Sequence, residues 1–320
     1  MNSCSFKSFI ITVVMLFCHI IIITSQVVKE STHLDTTISE KISVLIIDGF
    51  SNHNWVTNTK YLQKILESTG KFTVSVSTCP NQKENKTEWE HWNPDFNGYS
   101  VLIQTCNNVY KEDRLQWPNH VKQSFEKYVN KGGGVYIYHG ATNAFKNWDA
   151  YNKMIALGWR DKEFGVAVTI TNTEELGIIS KGEGENTGHG PRRNALITQI
   201  GNHPIHEGIP KQWRAADVEV YRYTRGTTKN LEVLSYGKDE KTGLNFPTEW
   251  TVKFGKGKVY SSVYGHLWKN QEWPPSMRCA AFQQTMVRAL QWLSGNEVDN
   301  YVEADFPNSK STVLRLPIED

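Results

Sequence analysis

Short apolar runs alternate with helix-period stretches through the first half of this chain. That alternation restricts the fold more than any other feature. Residues 43–48 are nearly all apolar, as a strand buried on both faces must be. Residues 57–69 set Tyr61, Ile65 and Leu66 on one helical face and stop at Gly70. Residues 72–77, 101–104 and 135–138 read as the next three strands, and 80–97 as a long polar loop. Residues 118–131 carry Val121, Phe125, Tyr128 and Val129 at helical spacing and end in Gly132, Gly133 and Gly134. Strands alternating with helices make βαβ units. The expected class is α/β, a mostly parallel open sheet flanked by helices, as in flavodoxin-like folds.

The second half is less regular. Residue 166–171, 195–200, 218–223, 231–236, 247–252 and 258–264 runs are strand-like, and 182–193 is a glycine-rich polar loop. A last helix over 277–293 has Cys279, Phe282, Met286, Leu290 and Leu293 as its apolar stripe. The chain shows no internal repeat and no low-complexity segment.

Four divisions follow. Residues 1–26 have Lys7, then an apolar run from Phe9 to Ile23 and a polar close. This is the pattern of a secretory leader and is short for a membrane span. The expectation is a periplasmic or secreted protein, with no stable membrane insertion once the leader is cleaved. Residues 27–42 form a tether, 43–295 the α/β domain and 296–320 a polar tail lying over the surface. Three cysteines remain beyond the leader: Cys79, Cys106 and Cys279. Their wide spacing excludes a thiolate zinc site and a disulfide framework. It leaves open three buried thiols, or one disulfide with a free thiol.

Composition matters in two places. The net charge of +2, with no basic stripe, argues against nucleic acid as a partner. The 11 Trp and 13 Tyr often sit beside Gly, His or Asn, which suits partly wet binding surfaces as well as a core. A homo-oligomer is compatible with the sequence.

Histidines fall just past three strand-like runs. His53 follows residues 43–48, His139 follows 134–138 and His266 follows 258–265. Ligands of open α/β sheets bind outside the carboxyl ends of the strands. Three imidazoles at three such ends point to one polar pocket.

The ordered set of short pieces also resembles a known family. The pieces are Val44 to Gly49 with Asn52 to Trp55, Tyr128 to Ala141, Asn202 to Ile205, Gly208 to Pro210, Glu219 to Tyr221, Pro247 to Trp250, Gly255 to Tyr260, and Gly265 with His266. Together they resemble the ThuA-like, trehalose-utilisation proteins over roughly residues 43 to 295. The resemblance implies a fold similar to class I glutamine amidotransferases and an association with sugar metabolism. In those amidotransferases a cysteine nucleophile occupies the turn after the strand equivalent to 134–138. Here that turn is His139, Gly140, Ala141 and Thr142, without Cys or Ser, so the nucleophilic cysteine chemistry is not expected.

The remaining side chains limit the chemistry. Hydrolysis by the usual route needs two facing carboxylates. The candidates Asp48, Glu219 and Glu249 form no convincing pair, with Glu249 placed in an edge strand and Glu219 the best of the three. A surplus of His, Tyr and Arg suits proton abstraction beside a carboxylate or carbonyl, then loss of a leaving group. The expected function is therefore an elimination, a lyase or dehydratase step on a sugar-acid-containing oligosaccharide, with hydrolysis second and a non-catalytic sugar-binding envelope protein third. The catalytic candidates are His53, His139, His266, Tyr221, His189 and Glu219, with His53 or His139 as the base. The substrate-binding candidates are Trp55, Arg192, Arg193, Trp250, Tyr264 and Trp268, and Tyr223 joins the polar set. No cofactor is expected. The competing use of His53, His139, His266 and Glu219 is to hold zinc or another divalent metal. The glycine-rich stretches do not form a dinucleotide-binding turn. His203 and His206 are expected to be structural or at the surface.

Overall fold

The computed structural model describes residues 40–111 and 114–319. The leader expected over residues 1–26 and most of the tether lie outside them. From Glu40 onward the chain forms one compact unit. Among the described residues, no helix is long and apolar enough to cross a membrane.

The strands in chain order are β1 (Ile42–Asp48), β2 (Phe72–Thr78), β3 (Val101–Gln104), β4 (Gly134–Tyr138), β5 (Leu157–Gly158), β6 (Val166–Ile170), β7 (Leu176–Ile179) and β8 (Gly188–His189). They continue with β9 (Arg193–Gln199), β10 (Gln212–Val218), β11 (Tyr221–Arg222), β12 (Arg225–Gly226), β13 (Leu231–Lys238), β14 (Asn245–Phe254) and β15 (Gly257–Ser262). The helices are α1 (Trp55–Ser68), α2 (Lys86–His91), α3 (Asn119–Asn130), α4 (Asp149–Ile155), α5 (Pro275–Arg278) and α6 (Ala280–Ser294).

The main sheet runs β10-β9-β13-β14-β15-β4-β3-β1-β2. Its β2-β1-β3-β4-β15 portion is parallel, which is the α/β sheet the alternation predicts. Beyond β15 the strands continue it antiparallel, and β6, with β7 and β12, branches from β14. Valines, isoleucines and leucines of β1, β3 and β4 are buried throughout, as strands covered on both faces require. Tyr61, Leu62, Ile65 and Leu66 of α1 and Val121, Phe125 and Val129 of α3 supply the covering stripes.

Several boundaries differ from expectation for visible reasons. Helix α1 begins at Trp55 because the Asn54 side chain accepts the Thr57 N–H and caps it. The expected loop 80–97 contains α2, six residues with no buried face and so no apolar period. The expected helix 277–293 breaks at Cys279, whose backbone is extended. The tail fills the break: Leu314 bridges Cys279, Ala280 N–H donates to Val313 O and Arg315 N–H to Arg278 O. The expected strand 218–223 is interrupted at Glu219 and Val220, just after an irregularity in β10 at Asp217, where φ is +53°. β10 ends at Val218, β11 starts at Tyr221, and Glu219 lies between them. Glu249 is not on an edge. β14 runs between β13 and β15, and the Glu249 side chain is fully buried. Cys79, Cys106 and Cys279 are free and buried, which settles the two options left open.

Candidate functional site

β1, β4 and β15 stand within one parallel array, so the loops leaving them meet at the same end of the sheet. His53 comes from the loop after β1, His139 from the first residue past β4 and His266 from the loop after β15. Their rings meet edge to face, with centroids 5.0 Å (His53–His139), 4.9 Å (His53–His266) and 5.2 Å (His139–His266) apart. One ring nitrogen from each lies within 4.8 Å of the others, and all three residues are buried.

Local backbone geometry makes this meeting feasible. His139 has φ +43°, an uncommon conformation for a non-glycine residue. It sits at the sharp strand-to-turn position where the amidotransferase-like fold would carry its nucleophile. Gly140 follows because a Cβ there would lie 3.2 Å from Cε1 and 3.3 Å from Nδ1 of the His53 ring. Gly265, at φ +82°, lets the chain turn into His266. A Cβ there would lie 2.4 Å from the Tyr138 hydroxyl, which donates to the Gly265 carbonyl. Ser276 Oγ donates to the His266 carbonyl and fixes the same loop.

Hydrogen bonds decide which lone pairs face the cleft. His139 Nδ1 lies 2.7 Å from Val263 O, so it donates there and leaves Nε2 as the acceptor nitrogen. The Tyr221 hydroxyl is 3.4 Å from that Nε2. His266 Nδ1 is 3.0 Å from Arg192 Nη1. A guanidinium can only donate, so Nδ1 accepts. Arg192 also reaches Asp217 Oδ2 and Gln271 Oε1, each at 3.3 Å. Glu219 faces the cluster, its carboxylate oxygens 3.4 Å from His266 Nε2, 3.7 Å from His189 Nε2 and 3.9 Å from His139 Nε2.

Burial governs the charge states. It lowers His53 to about 4, with electrostatic contributions from His189 and Arg192 in the same direction. Burial lowers His266 to about 3, with His53, Arg192 and His189 adding to it. Burial and the neighbouring His53 and His266 hold His139 well below its ordinary value. All three are neutral imidazoles near pH 7. Burial raises Glu219, against the opposing pull of His189 and Arg192. It also keeps the Tyr221 hydroxyl protonated far above its ordinary range.

His53, His189, Arg192, Glu219, Tyr221 and His266 line a cleft of about 400 Å³ with Trp268 and Trp159, and His139 is buried against their rings. Asn52 and Asn143 also line it, and neither they nor Trp159 are among the residues expected from sequence. Trp159 follows β5, a strand of two residues that leaves no periodic signal. Asn52 lay within a family-like piece without a role.

Four sequence-expected residues stand elsewhere. Arg193 is the first residue of β9 and does not line the cleft that Arg192 lines. It pairs with Glu240 and the Lys238 carbonyl. Trp250 is buried in β14, its indole N–H donating to Ile155 O at 2.8 Å. Tyr264 is buried with its hydroxyl 3.3 Å from Glu249 Oε2 and from Thr248 Oγ1. Trp55, the half-buried first residue of α1, does not line the cleft. Tyr223, from the wider polar set, packs on Phe246 at 5.1 Å. Nor do the alternative carboxylates reach the cleft. Asp48 accepts from Thr59 Oγ1 at 2.6 Å, and Glu249 pairs with His206 at 3.2 Å. His206 is therefore an interior residue, not a surface one.

The family model for trehalose utilisation, ThuA, matches residues 43–293. The chain belongs to the ThuA family. A solved structure described as a ThuA-like protein, from Parabacteroides merdae, is 29% identical with a TM-score of 0.78, covering 86% of this chain and 98% of that one. A second one so described, from Bacteroides uniformis, is 16% identical with a TM-score of 0.51, covering 79% and 91%, and is similar in fold. No curated protein matches. In this ThuA chain the strained turn after β4 presents His139 where a cysteine nucleophile would stand, so the site differs in chemistry from the amidotransferase pattern.

Proposed function

We propose that this ThuA protein is an exported carbohydrate-active enzyme that breaks a glycosidic C–O bond by elimination, with a divalent cation held by His53, His139 and His266. The observation that carries this reading is the convergence of three buried, neutral imidazoles with ring nitrogens inside 4.8 Å. Neutral imidazole is the commonest zinc ligand. Ligands at about 2.1 Å from one ion stand no more than ~4.2 Å apart, so the rings need only a small closing movement. The His139 Nδ1–H bond to Val263 O is the outer-shell support expected of a metal-binding histidine. A bound divalent cation would polarise a carbonyl or hydroxyl oxygen of the sugar.

The protein side chains divide the proton chemistry. Glu219 is a better base than the depressed imidazoles, so the role expected of His53 or His139 passes to it. Its carboxylate takes the proton from the carbon beside the carbonyl or carboxylate. The C–O bond to the departing sugar breaks as the C=C bond forms. Tyr221, kept protonated by burial, gives its proton to the departing oxygen. Arg192 holds the acidic or carbonyl group of the substrate. Among the described residues Glu219 is the one carboxylate lining the cleft, which disfavours two-carboxylate hydrolysis. The family description supports a sugar substrate, and the leader-like first 26 residues support export.

The test is mass spectrometry of acidic and neutral oligosaccharides after incubation with the purified protein, with and without chelator. Elimination gives fragments that together weigh the same as the substrate, with new absorbance near the ultraviolet edge. Fragments carrying an added water would replace elimination by hydrolysis. Binding without conversion of any sugar would remove the enzyme reading.

A further inference from the structure

The geometry points to a cleft that grips one sugar ring on each side of the reacting centre, so that its substrate has at least two rings spanning the bond that breaks. This rests on the reading of the cleft as a carbohydrate site and adds where the rings lie. An arc of side-chain rings crosses the cleft. Trp268 stands edge-on to His53 at 5.2 Å and nearly parallel to His266 at 6.0 Å. Both histidines meet His139. His139 meets Tyr221 at 5.7 Å, and Tyr221 meets Trp159 at 5.3 Å. Trp159 also touches His189 at 5.7 Å. The two tryptophans thus hold the ends of the arc, with His139 and Glu219 between them.

Each tryptophan is accessible, and each is held through its backbone. Trp268 is 45% exposed, although it lines the cleft. Its backbone N–H donates to Gln271 Oε1 at 2.8 Å, the same atom that accepts from Arg192. Trp159 is half-buried, its backbone N–H directed at Thr142 O and its carbonyl accepting from buried Arg160 at 2.8 Å. A flat apolar face with a polar edge suits the C–H face of a sugar. One such wall would serve a single terminal ring. Two walls on either side of the centre serve a bond between rings, and a cleft of about 400 Å³ lies in the range for small ligands.

The experiment measures binding alone, using calorimetry on the Glu219→Gln variant with glucose, trehalose and cellobiose as probes. At least one disaccharide should bind about tenfold or more tighter than glucose. Trp159→Ala and Trp268→Ala, each in that background, should weaken that disaccharide about three- to tenfold. Phe at either position should restore most of the loss, which a merely structural role would not allow. Equal binding of glucose and the disaccharides, a tryptophan without effect on disaccharide binding, or no binding of any probe would overturn the inference. Disaccharide-selective binding in a protein that holds no cation and converts no sugar would sink the proposed reaction and leave this inference standing.

Discussion

Arg192 and His266 fix each other's chemistry. The guanidinium Nη1 lies 3.0 Å from His266 Nδ1 and can only donate, so the neutral ring keeps its lone pair on Nδ1 and its proton on Nε2, beside Glu219. A cation that took that lone pair would have to displace Arg192 from it. Arg192 and a divalent ion therefore compete for one nitrogen, and their like charges oppose each other as well.

Replacing Arg192 with Gln should tighten zinc binding about tenfold, roughly 1.4 kcal/mol, when measured by competition with a chromogenic chelator. Turnover should fall at the same time, because the substrate loses its guanidinium. Arg193→Ala, whose side chain points to Glu240, should leave both quantities unchanged. Zinc affinity that is unchanged or lower in Arg192→Gln would contradict the competition.

The buried histidines give stability a defined pH dependence. His53 and His266 titrate near 4 and 3 in the folded chain, below their ordinary 6.5. Between those limits the unfolded state binds more protons, so stability is complete above about 6.5 and is lost as pH falls toward 4 and below. Each group takes up about one proton on unfolding across that window. Chemical denaturation in chelator at pH 7, 6, 5 and 4.5 should show the decline. His53→Gln should flatten it, and an unaltered slope in that variant would rule out the assignment.

Gly140 tests how closely the histidines must sit. A methyl group there meets His53 at 3.2–3.3 Å and Asn107 Nδ2 at 3.1 Å. Gly140→Ala should cost about 1–3 kcal/mol of stability as an overpacked site. The displaced ring should cost turnover about 10²-fold, the scale of a small misplacement in a reacting centre. Full turnover in a folded Gly140→Ala protein would show that the His53 position is immaterial.

Away from the cleft, Glu249 sits fully buried with its charge supported by His206, Ser235 and Tyr260. Burial raises its pKa, but His206 and these hydrogen bonds outweigh it and hold the carboxyl below its ordinary value. His206→Leu strands that carboxylate and should destabilise the fold by about 3–5 kcal/mol. Turnover per folded molecule should not change, since neither residue lines the cleft. Equilibrium unfolding beside an activity assay separates the two effects.

The parts of the fold legible in sequence were those with a long enough apolar period. β1, β3 and β4 are near-continuous hydrophobic runs, and α1 and α3 carry clear stripes, so the parallel array and its strand-end histidines could be read. Strand-like runs also mark β6, β9, β13, β14 and β15, but β5, β11 and β12 hold two residues each and leave no period to read. Trp159 was lost with β5. Trp250 and Tyr264 neighbour the cleft in sequence, but their polar groups are spent inside the core, on Ile155 O and on Thr248 and Glu249. Arg192 and Arg193, adjacent in sequence, have different partners: Asp217, His266 and Gln271 for the first, Glu240 and Lys238 O for the second. Glu219 owes its place to the break between β10 and β11, and no spacing rule anticipates that break.

The central claim is that three neutral imidazoles form a cation site. Metal content by plasma mass spectrometry, after dialysis against a limiting mixture of divalent ions, tests it most directly. The account predicts about one divalent ion per chain in the wild type, and its loss in His53→Gln, His139→Gln and His266→Gln proteins that remain folded. No bound ion in the wild type, or equal content in all four proteins, would contradict it.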